Sequence, residues 1–263
     1  MNKAKMILKY PGAKWRIADW IISNMPEHHS YVEPYFGSGA VLFRKTPSKI
    51  ETINDLDDDV INLFEVVRNN AEPLVRAVTY TPFSRKEYEN AFTKEPVDEI
   101  EKARRFLVRC WQGHGFRNIN GHRSGWKNDV QGREAAYALR NWYRLPQWIE
   151  MAVERLREVQ IEKRPAVEVI QRFNYPNVLI YADPPYVLST RSGKNYNHEM
   201  SDADHVELCE TLLKHKGSVI LSGYDNEIYN EYMRDWKKLS IDTTAEKGLK
   251  RVEVIWIKEG MKP

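Results

Sequence analysis

Tyr31-Val32-Glu33-Pro34-Tyr35-Phe36-Gly37-Ser38-Gly39-Ala40-Val41-Leu42-Phe43 reads as a short strand, a glycine loop and the opening of a helix. Glycines at 37 and 39 let the backbone come close to a ligand, and the helix start behind them adds a partial positive charge. Downstream, Ile50-Glu51-Thr52-Ile53-Asn54-Asp55 is a second strand that ends in an acid, eighteen residues past Gly37. A helix follows with Val60, Ile61, Phe64 and Val67 on one face. Strand, glycine loop, helix, strand, acid, helix is the opening half of a doubly wound nucleotide-binding sheet. Upstream, Ile17, Trp20, Ile21 and Met25 fall at helical spacing within residues 14–25.

An acid at the tip of the second strand suits ribose hydroxyls, which assigns Asp55 to a nucleoside ligand. A dinucleotide fits poorly, because the last glycine of G-x-G-x-x-G is replaced by Leu42. Glu33-Pro34 also sets an acid beside the loop, where a pyrophosphate would be repelled. That acid suits a ligand bearing an amino group and a sulfonium charge. S-adenosylmethionine has both.

From about Pro82 to Pro165 the chain turns helical and basic, with no strand alternation until Val159-Gln160-Ile161 and with a polar, glycine-bearing loop from Gln112 to Gly132. The sheet pattern then resumes in Val178-Leu179-Ile180-Tyr181-Ala182, a buried strand followed at once by Asp183-Pro184-Pro185-Tyr186. Ser201-Asp202-Ala203-Asp204 is a capping box for a helix with His205, Leu208, Cys209 and Leu212 on one face, stopped at Gly217. Ser218 to Ser222 is another buried strand, and Val252 to Ile257 a late strand that pairs with Leu239-Ser240-Ile241 as a hairpin.

Asp183-Pro184-Pro185-Tyr186 is a compact chemical device. The acid accepts a hydrogen bond from an amino group. Two consecutive prolines cannot continue a strand ladder, so the Pro184 carbonyl is left to face a ligand. The tyrosine ring offers a flat stacking face. Together they suit a planar base with an exocyclic amine, such as adenine. Read alone, the tetrapeptide has a plainer reading as an ordinary turn after a strand, which the rest of the chain has to decide against.

Composition is that of a globular chain, with 42% hydrophobic and 29% charged residues and a mean hydropathy of −0.63. No stretch reaches the roughly 18–20 apolar residues of a membrane span, and the N-terminus is too short in apolar length for a signal peptide. Cys110 and Cys209 are expected as reduced core thiols, and no Cys/His cluster has zinc spacing. Residues 101–144 hold ten Lys or Arg and three acids, a local charge of +7 in a chain of net +3. A basic middle of this kind is the footprint of a polyanion. Arg117, Arg123, Lys127 and Arg133, interleaved with Trp111, Phe116 and Trp126, are expected to grip phosphates, and His114, Asn118, Asn120 and His122 to be candidate base readers. Trp142, Trp148 and Cys110 are expected in the core. Arg191, Lys194, Tyr196 and Asn197 lie on a polar loop expected to order over DNA. Ser222 to Asn226 is expected to line the pocket.

Through most of its length the chain resembles the Dam-like (D12 class) DNA adenine-N6 methyltransferases. Leu8-Lys9-Tyr10-Pro11-Gly12-Ala13-Lys14 is similar to the family's N-terminal motif, Tyr31 to Gly39 to its glycine loop, Asn54-Asp55-Leu56 to its ribose motif, and Asp183-Pro184-Pro185-Tyr186 to its catalytic motif, in the family's order. The resemblance implies a Rossmann-like methyltransferase α/β sheet with helices on both faces, over 1–80 and 166–263, and a mostly helical target-recognition insertion at 81–165. It implies that Tyr10 and Lys14 touch the donor, that Leu56 lies against the donor's adenine, and that Glu33, Pro34, Phe36, Gly37, Ser38, Gly39, Asp55 and Asp183 complete the donor site. It implies a flipped-out adenine in double-stranded DNA as acceptor, with Asp183 and the Pro184 carbonyl holding its amine and Tyr186 its ring. A monomer, or a dimer on DNA, in a bacterial or phage-infected cytoplasm is expected, with no metal. Cytosine N4, adenine in RNA, a non-catalytic DNA-binding relative and a dinucleotide oxidoreductase are the competing readings. One departure stands out: the acid expected after the strand preceding the catalytic one is replaced by Lys163-Arg164-Pro165, leaving Glu162, backbone or nothing for that contact.

Overall fold

Strands form where the sequence runs apolar, and they stop where the backbone loses a donor or the chain turns polar. The computed structural model describes residues 5–93, 95–115, 118, 121–128, 130, 137–191, 193, 195–244 and 250–260. Seven strands, β1 (Ser30–Glu33), β2 (Ile50–Asn54), β3 (Val159–Glu162), β4 (Val178–Ala182), β5 (Ser218–Gly223), β6 (Lys237–Thr244) and β7 (Lys250–Lys258), make one sheet in the order β3-β2-β1-β4-β5-β7-β6. β1 ends at Glu33, three residues short of the expected Phe36, because Pro34 cannot donate to the ladder. β4 is buried at all five positions, as a parallel strand between β1 and β5 must be. The β6–β7 hairpin is present and longer than expected, with Leu239 opposite Ile255. Its order is the unexpected feature: β7 inserts antiparallel between β5 and β6.

The first five strands run parallel, and their order reverses direction between β1 and β4. The carboxyl ends of strands flanking such a switch point form a natural ligand crevice.

The chain divides into two compact units. The sheet belongs to one, with α1 (Ala18–Ser23), α2 (Ala40–Arg44), α8 (Ala166–Arg172), α9 (Asp202–Lys214) and α10 (Glu227–Tyr232). Val169, Ile170, Leu208, Leu212 and Tyr229 of these helices pack on Val178, Ile180, Val219, Leu221 and Trp256 of the sheet. Each such side chain contributes about 1.5–3 kcal/mol on burial. Cys209 lies in this layer, its thiol pushed up to about 12 by burial. The capping box Ser201/Asp204 opens α9 as expected. Gly217 acts differently from the helix stop expected of it. α9 ends at Lys214 with His215 extended, and a Cβ on Gly217 would stand 2.1 Å from the Val178 carbonyl. Close approach to β4 is what that glycine permits.

A buried ion pair anchors the sheet unit. Lys45 Nζ lies 2.7 Å from Glu51 Oε1, donates to Ser48 Oγ and the Thr46 carbonyl, and sits 4.5 Å over the Tyr31 ring. Glu51→Ala leaves that ammonium buried without its carboxylate. A stability loss of about 3–5 kcal/mol is expected, read from urea unfolding midpoints. A loss under about 1 kcal/mol would show that water reaches Lys45 freely.

The other unit comprises described residues within 1–13, 57–157 and 195–197. It holds α3 (Asp58–Asn69), α4 (Ala71–Thr79), α5 (Arg85–Thr93), α6 (Glu99–Gln112) and α7 (Tyr137–Leu156). α6 packs on α3, α4 and α5, and α7 packs on α4. The helices over 58–79, expected with the sheet, therefore pack with the helical unit. Phe64, Leu74, Phe106, Trp111, Trp142 and Leu145 are all buried, and Trp148 lies against Trp111 at 5.6 Å. Cys110 is buried here, its thiol raised to about 12 by burial. Asp57 and Asp98 cap α3 and α6. Among the described residues, no helix is long and apolar enough to cross a membrane.

Candidate active site

Asp183 is the first residue past β4, and the carboxyl edge of the sheet brings charged partners around it. Lys14 Nζ lies 2.9 Å from Asp183 Oδ1 and 4.7 Å over the Tyr186 ring. The lysine is 5% exposed and the acid 16%. Burial alone would lower the Lys14 ammonium, but Asp183 and then Glu253 outweigh it and raise it. Burial pushes Asp183 up to about 6, against the pull of Lys14, and Glu253 adds to the rise. The result is a carboxylate that is ionised at neutral pH and little more basic than that requires.

Tyr186 is held on three sides. Its hydroxyl donates to Glu253 Oε2 at 2.5 Å, its ring meets Tyr224 edge-on at 4.6 Å, and Lys14 covers one face. The ring expected as an open stacking surface is only 6% exposed. Of the segment Ser222 to Asn226, Tyr224 thus touches the catalytic motif. Asp225 pairs with Lys238, and Asn226 caps α10. Arg191 donates to the Tyr186 carbonyl at 2.7 Å and pairs with Glu199, so its guanidinium braces the loop after the motif.

Next to this lies the glycine loop. Gly37 and Gly39 adopt positive φ, 49° and 66°. A Cβ on Gly39 would stand 2.3 Å from the Phe36 ring, so both conformation and space demand glycine there. Gly37 N–H donates to Asp55 Oδ2 at 2.8 Å, and Ser38 Oγ accepts from Trp15 Nε1. Asn54, fully buried, donates from Nδ2 to the carbonyls of Pro34 and Arg164 and accepts the Arg164 N–H. It ties together the ends of β1, β2 and β3. Glu33 Oε1 accepts the Tyr31 hydroxyl, while Oε2 is buried with no partner among the described residues. Burial pushes Glu33 up to about 8. Leu56 is 38% exposed. Glu162, at the end of β3, is occupied by Arg164 and Arg172.

The helical unit holds the remaining candidates. Tyr10 donates to Asp57 Oδ2 at 3.1 Å, which also accepts from Asn197 Nδ2, and Tyr196 lies 5.9 Å from the Tyr10 ring. Asn118, expected as a base reader, is fully buried. Its Oδ1 accepts from Tyr88 and Ser124, and its Nδ2 donates to the His114 carbonyl. The amide closes the glycine-bearing loop from within, helped by a bridge between Gly113 and Trp126. Trp126 is half-buried against Phe83, with the Arg85 guanidinium 5.1 Å over it. His122 and Arg123 are exposed and Lys127 half-exposed. Lys9, which the motif reading passed over, lies 3.9 Å over Trp111. Its ammonium is lowered to about 7 by burial and by Lys127 beside it. By contrast Arg104 and Arg105 pair with Glu101, and Arg109 with Asp59, so much of the basic run is internally neutralised. Phe116, Arg117, Asn120, Arg133 and Lys194 lie outside the described residues.

Glu253 and Asn54 are the site residues to which the sequence reading gave no role. Asn54 stands inside a quoted motif, but Glu253 lies in an ordinary alternating strand with nothing local to mark it. Among the described residues, no three His, Cys, Asp or Glu side chains are grouped to hold a metal.

The profile of a family described as D12 class N6 adenine-specific DNA methyltransferase matches residues 10–246. A type II methyltransferase of Lactococcus lactis subsp. cremoris is 27% identical over 269 residues, covering 92% of this chain and 89% of that protein. A DNA adenine methylase of Serratia marcescens is 25% identical over 258 residues, covering 90% and 88%. A type II methyltransferase of Methanocaldococcus jannaschii is 25% identical over 246 residues, covering 81% and 80%.

Proposed function

The chain belongs to the D12 class of N6 adenine-specific DNA methyltransferases, and from that membership we propose which of its residues carry the reaction. The buried Lys14–Asp183 pair at the carboxyl edge of β4, one strand from the glycine loop, is the observation that supports the assignment most. Asp183 and the Pro184 carbonyl accept the two N–H bonds of the adenine amine. That draws the nitrogen toward sp3 character and aims its lone pair away from the ring. An amine is a weak nucleophile when its lone pair is delocalised, so preorganised acceptors and fixed orientation supply most of the acceleration. No covalent enzyme intermediate is required.

S-adenosylmethionine supplies the electrophilic methyl group when bound. The residues present are compatible with it: Glu33 keeps one carboxyl oxygen without a partner among the described residues, beside a loop that needs glycine at position 39, and Asp55 sets an acid just past β2. Pro34, Phe36, Gly37, Ser38, Gly39 and Leu56 complete that site in this reading, with Tyr10 and Lys14 contributing from the N-terminal motif. Lys14 does so while paired to Asp183.

The acceptor adenine must leave the duplex stack, at a cost of a few kcal/mol. In this reading Tyr186 offsets this by stacking on the base, for about 1–3 kcal/mol, once the base displaces what now covers its 6% exposed side chain. Tyr186→Ala is accordingly expected to lower kcat by roughly 5- to 150-fold, with Tyr186→Phe retaining most of the stacking contribution. Equal rates for the two variants would remove stacking from the mechanism. Arg123, Lys127, Trp126 and His122 present the duplex, with Arg117, Asn120, Arg133, Lys194 and Tyr196 as further contacts. Asn118 shapes the loop that carries His122, Arg123, Trp126 and Lys127. A monomer acting on double-stranded DNA in the cytoplasm accounts for these features.

Incubation of the protein with labelled S-adenosylmethionine and unmethylated DNA, followed by nucleoside mass spectrometry, tests the whole reading. N6-methyladenine in DNA is the expected product. N4-methylcytosine alone, or tight DNA binding without any transfer, would overturn it.

A further inference from the structure

Among the buried acids at the carboxyl edge of the sheet, Glu253 is the one that no motif and no step of the proposed reaction uses. It sits on β7, one residue before Val254, which pairs with Gly223 at the end of β5. The antiparallel insertion of β7 therefore delivers the start of this strand to the edge where the parallel strands end. There the Glu253 side chain is buried, 8% exposed, and its Oε2 accepts the Tyr186 hydroxyl at 2.5 Å. Its charge also reaches Lys14 and Asp183. An acid placed inside the sheet edge is costly unless it is bonded and compensated. Here it is both, by the tyrosine hydroxyl and by the lysine shared with Asp183.

We propose that Glu253 is a positioning residue for methyl transfer: its carboxylate locks the Tyr186 ring through the hydroxyl and, with Lys14, sets the charge around Asp183. The proposal rests on the reading of Asp183 and Tyr186 as catalytic. Two functions are combined in one group. The hydrogen bond fixes the orientation of the ring, which Tyr224 and Lys14 then hold at its edge and face. The charge acts on both Lys14 and Asp183, so that Asp183 is less fully neutralised than in an isolated pair. The groups facing Asp183 are Lys14 ahead of α1, Glu33 on β1, Tyr181 on β4, Tyr186 after it, Tyr224 after β5, Tyr229 on α10 and Glu253 on β7. Of these, Glu253 is the carboxyl whose removal tests the proposal, since burial holds Glu33 up at about 8 and largely protonated at neutral pH.

Glu253→Gln keeps an acceptor for the Tyr186 hydroxyl and removes the charge. Its kcat at pH 8 should stay within about threefold of wild type, while the acid limb of its kcat–pH profile moves to lower pH, because Asp183 loses a repelling neighbour. Glu253→Ala removes both functions and should lower kcat about 10- to 100-fold, the range for losing orientation at a reacting group, with little change in KM for DNA. In the Glu253→Ala background, Tyr186→Phe should cost nothing further, since the hydroxyl then has no partner to lose. An unshifted acid limb in Glu253→Gln together with wild-type kcat in Glu253→Ala would overturn the proposal. If Glu253→Ala fails to fold by its melting curve, the pH profile of Glu253→Gln decides alone. Asp183→Ala is measured alongside. Retained activity in that variant would instead sink the underlying assignment.

Discussion

Asp183→Ala is expected to lower the methyl-transfer rate by about 10²–10³-fold or more, with DNA affinity close to wild type. The loss is expected in kcat because, in the proposed reaction, the carboxylate acts on the amine as it gains the methyl, while duplex binding is proposed for the basic helical unit. Removing Asp183 also leaves the 5% exposed Lys14 ammonium without the carboxylate 2.9 Å away, so a stability loss of about 3–5 kcal/mol is expected beside the kcat loss. A melting curve that shows the variant still folded at the assay temperature should therefore accompany the inactive variant. Single-turnover transfer of labelled methyl to an oligonucleotide measures the first effect, and a gel-shift titration the second. Near wild-type transfer would refute the assignment. The wild-type enzyme carries a related signature. Asp183 is raised to about 6, chiefly by burial, and its ionised form is the acceptor. Activity should thus be full above that value and fall about tenfold per pH unit well below it.

Lys14→Met is expected to have the second largest effect, and to reveal which partner the lysine serves. The family resemblance implies a donor contact, whose loss would raise KM for S-adenosylmethionine at every pH. The structure pairs Lys14 with Asp183 at 2.9 Å in a buried setting. Removing the ammonium leaves Asp183 and Glu253 with no cation between them, and two neighbouring buried acids do not both ionise readily. Asp183 should then titrate higher. Because each unit of upward shift costs about tenfold in the ionised form, kcat at pH 7 should fall about tenfold or more and recover partly toward alkaline pH. Breaking a buried pair also costs about 3–5 kcal/mol, softened here because Asp183 can take up a proton. Lys14→Arg should restore part of the rate. A pH-independent rise in donor KM with unchanged kcat would return Lys14 to the donor alone.

What was legible along the chain was what neighbouring residues state locally. Gly37-Ser38-Gly39 after an apolar strand announces a close approach, and positive φ at both glycines together with the 2.3 Å clash at Gly39 gives its cause. Strand periodicity located β2, β4 and β5, and the hairpin of β6 and β7. Pattern could say that α3 buries Val60, Ile61, Phe64 and Val67, yet not against which partner, and α3 packs on α6 rather than joining the sheet unit. Asn118 looked like a reader because amides read adenine well. In the fold its amide is consumed inside its own loop. A polar residue in a glycine-rich segment is as useful for closing the segment as for reaching out of it, and sequence does not separate the two.

The sequence by itself determined the order of motifs, the Rossmann-like sheet and the acid that ends β4, because these depend on side-chain period, proline and glycine within a few residues. Only the tertiary structure decided what that acid meets. Lys14 comes to Asp183 across 169 positions of chain, and Glu253 to Tyr186 across 67, the latter because β7 runs antiparallel between β5 and β6 and begins at the same edge. The charge state of a buried carboxylate depends on every ion within a few ångströms in space. Strand order, which no local pattern encodes, chose those ions.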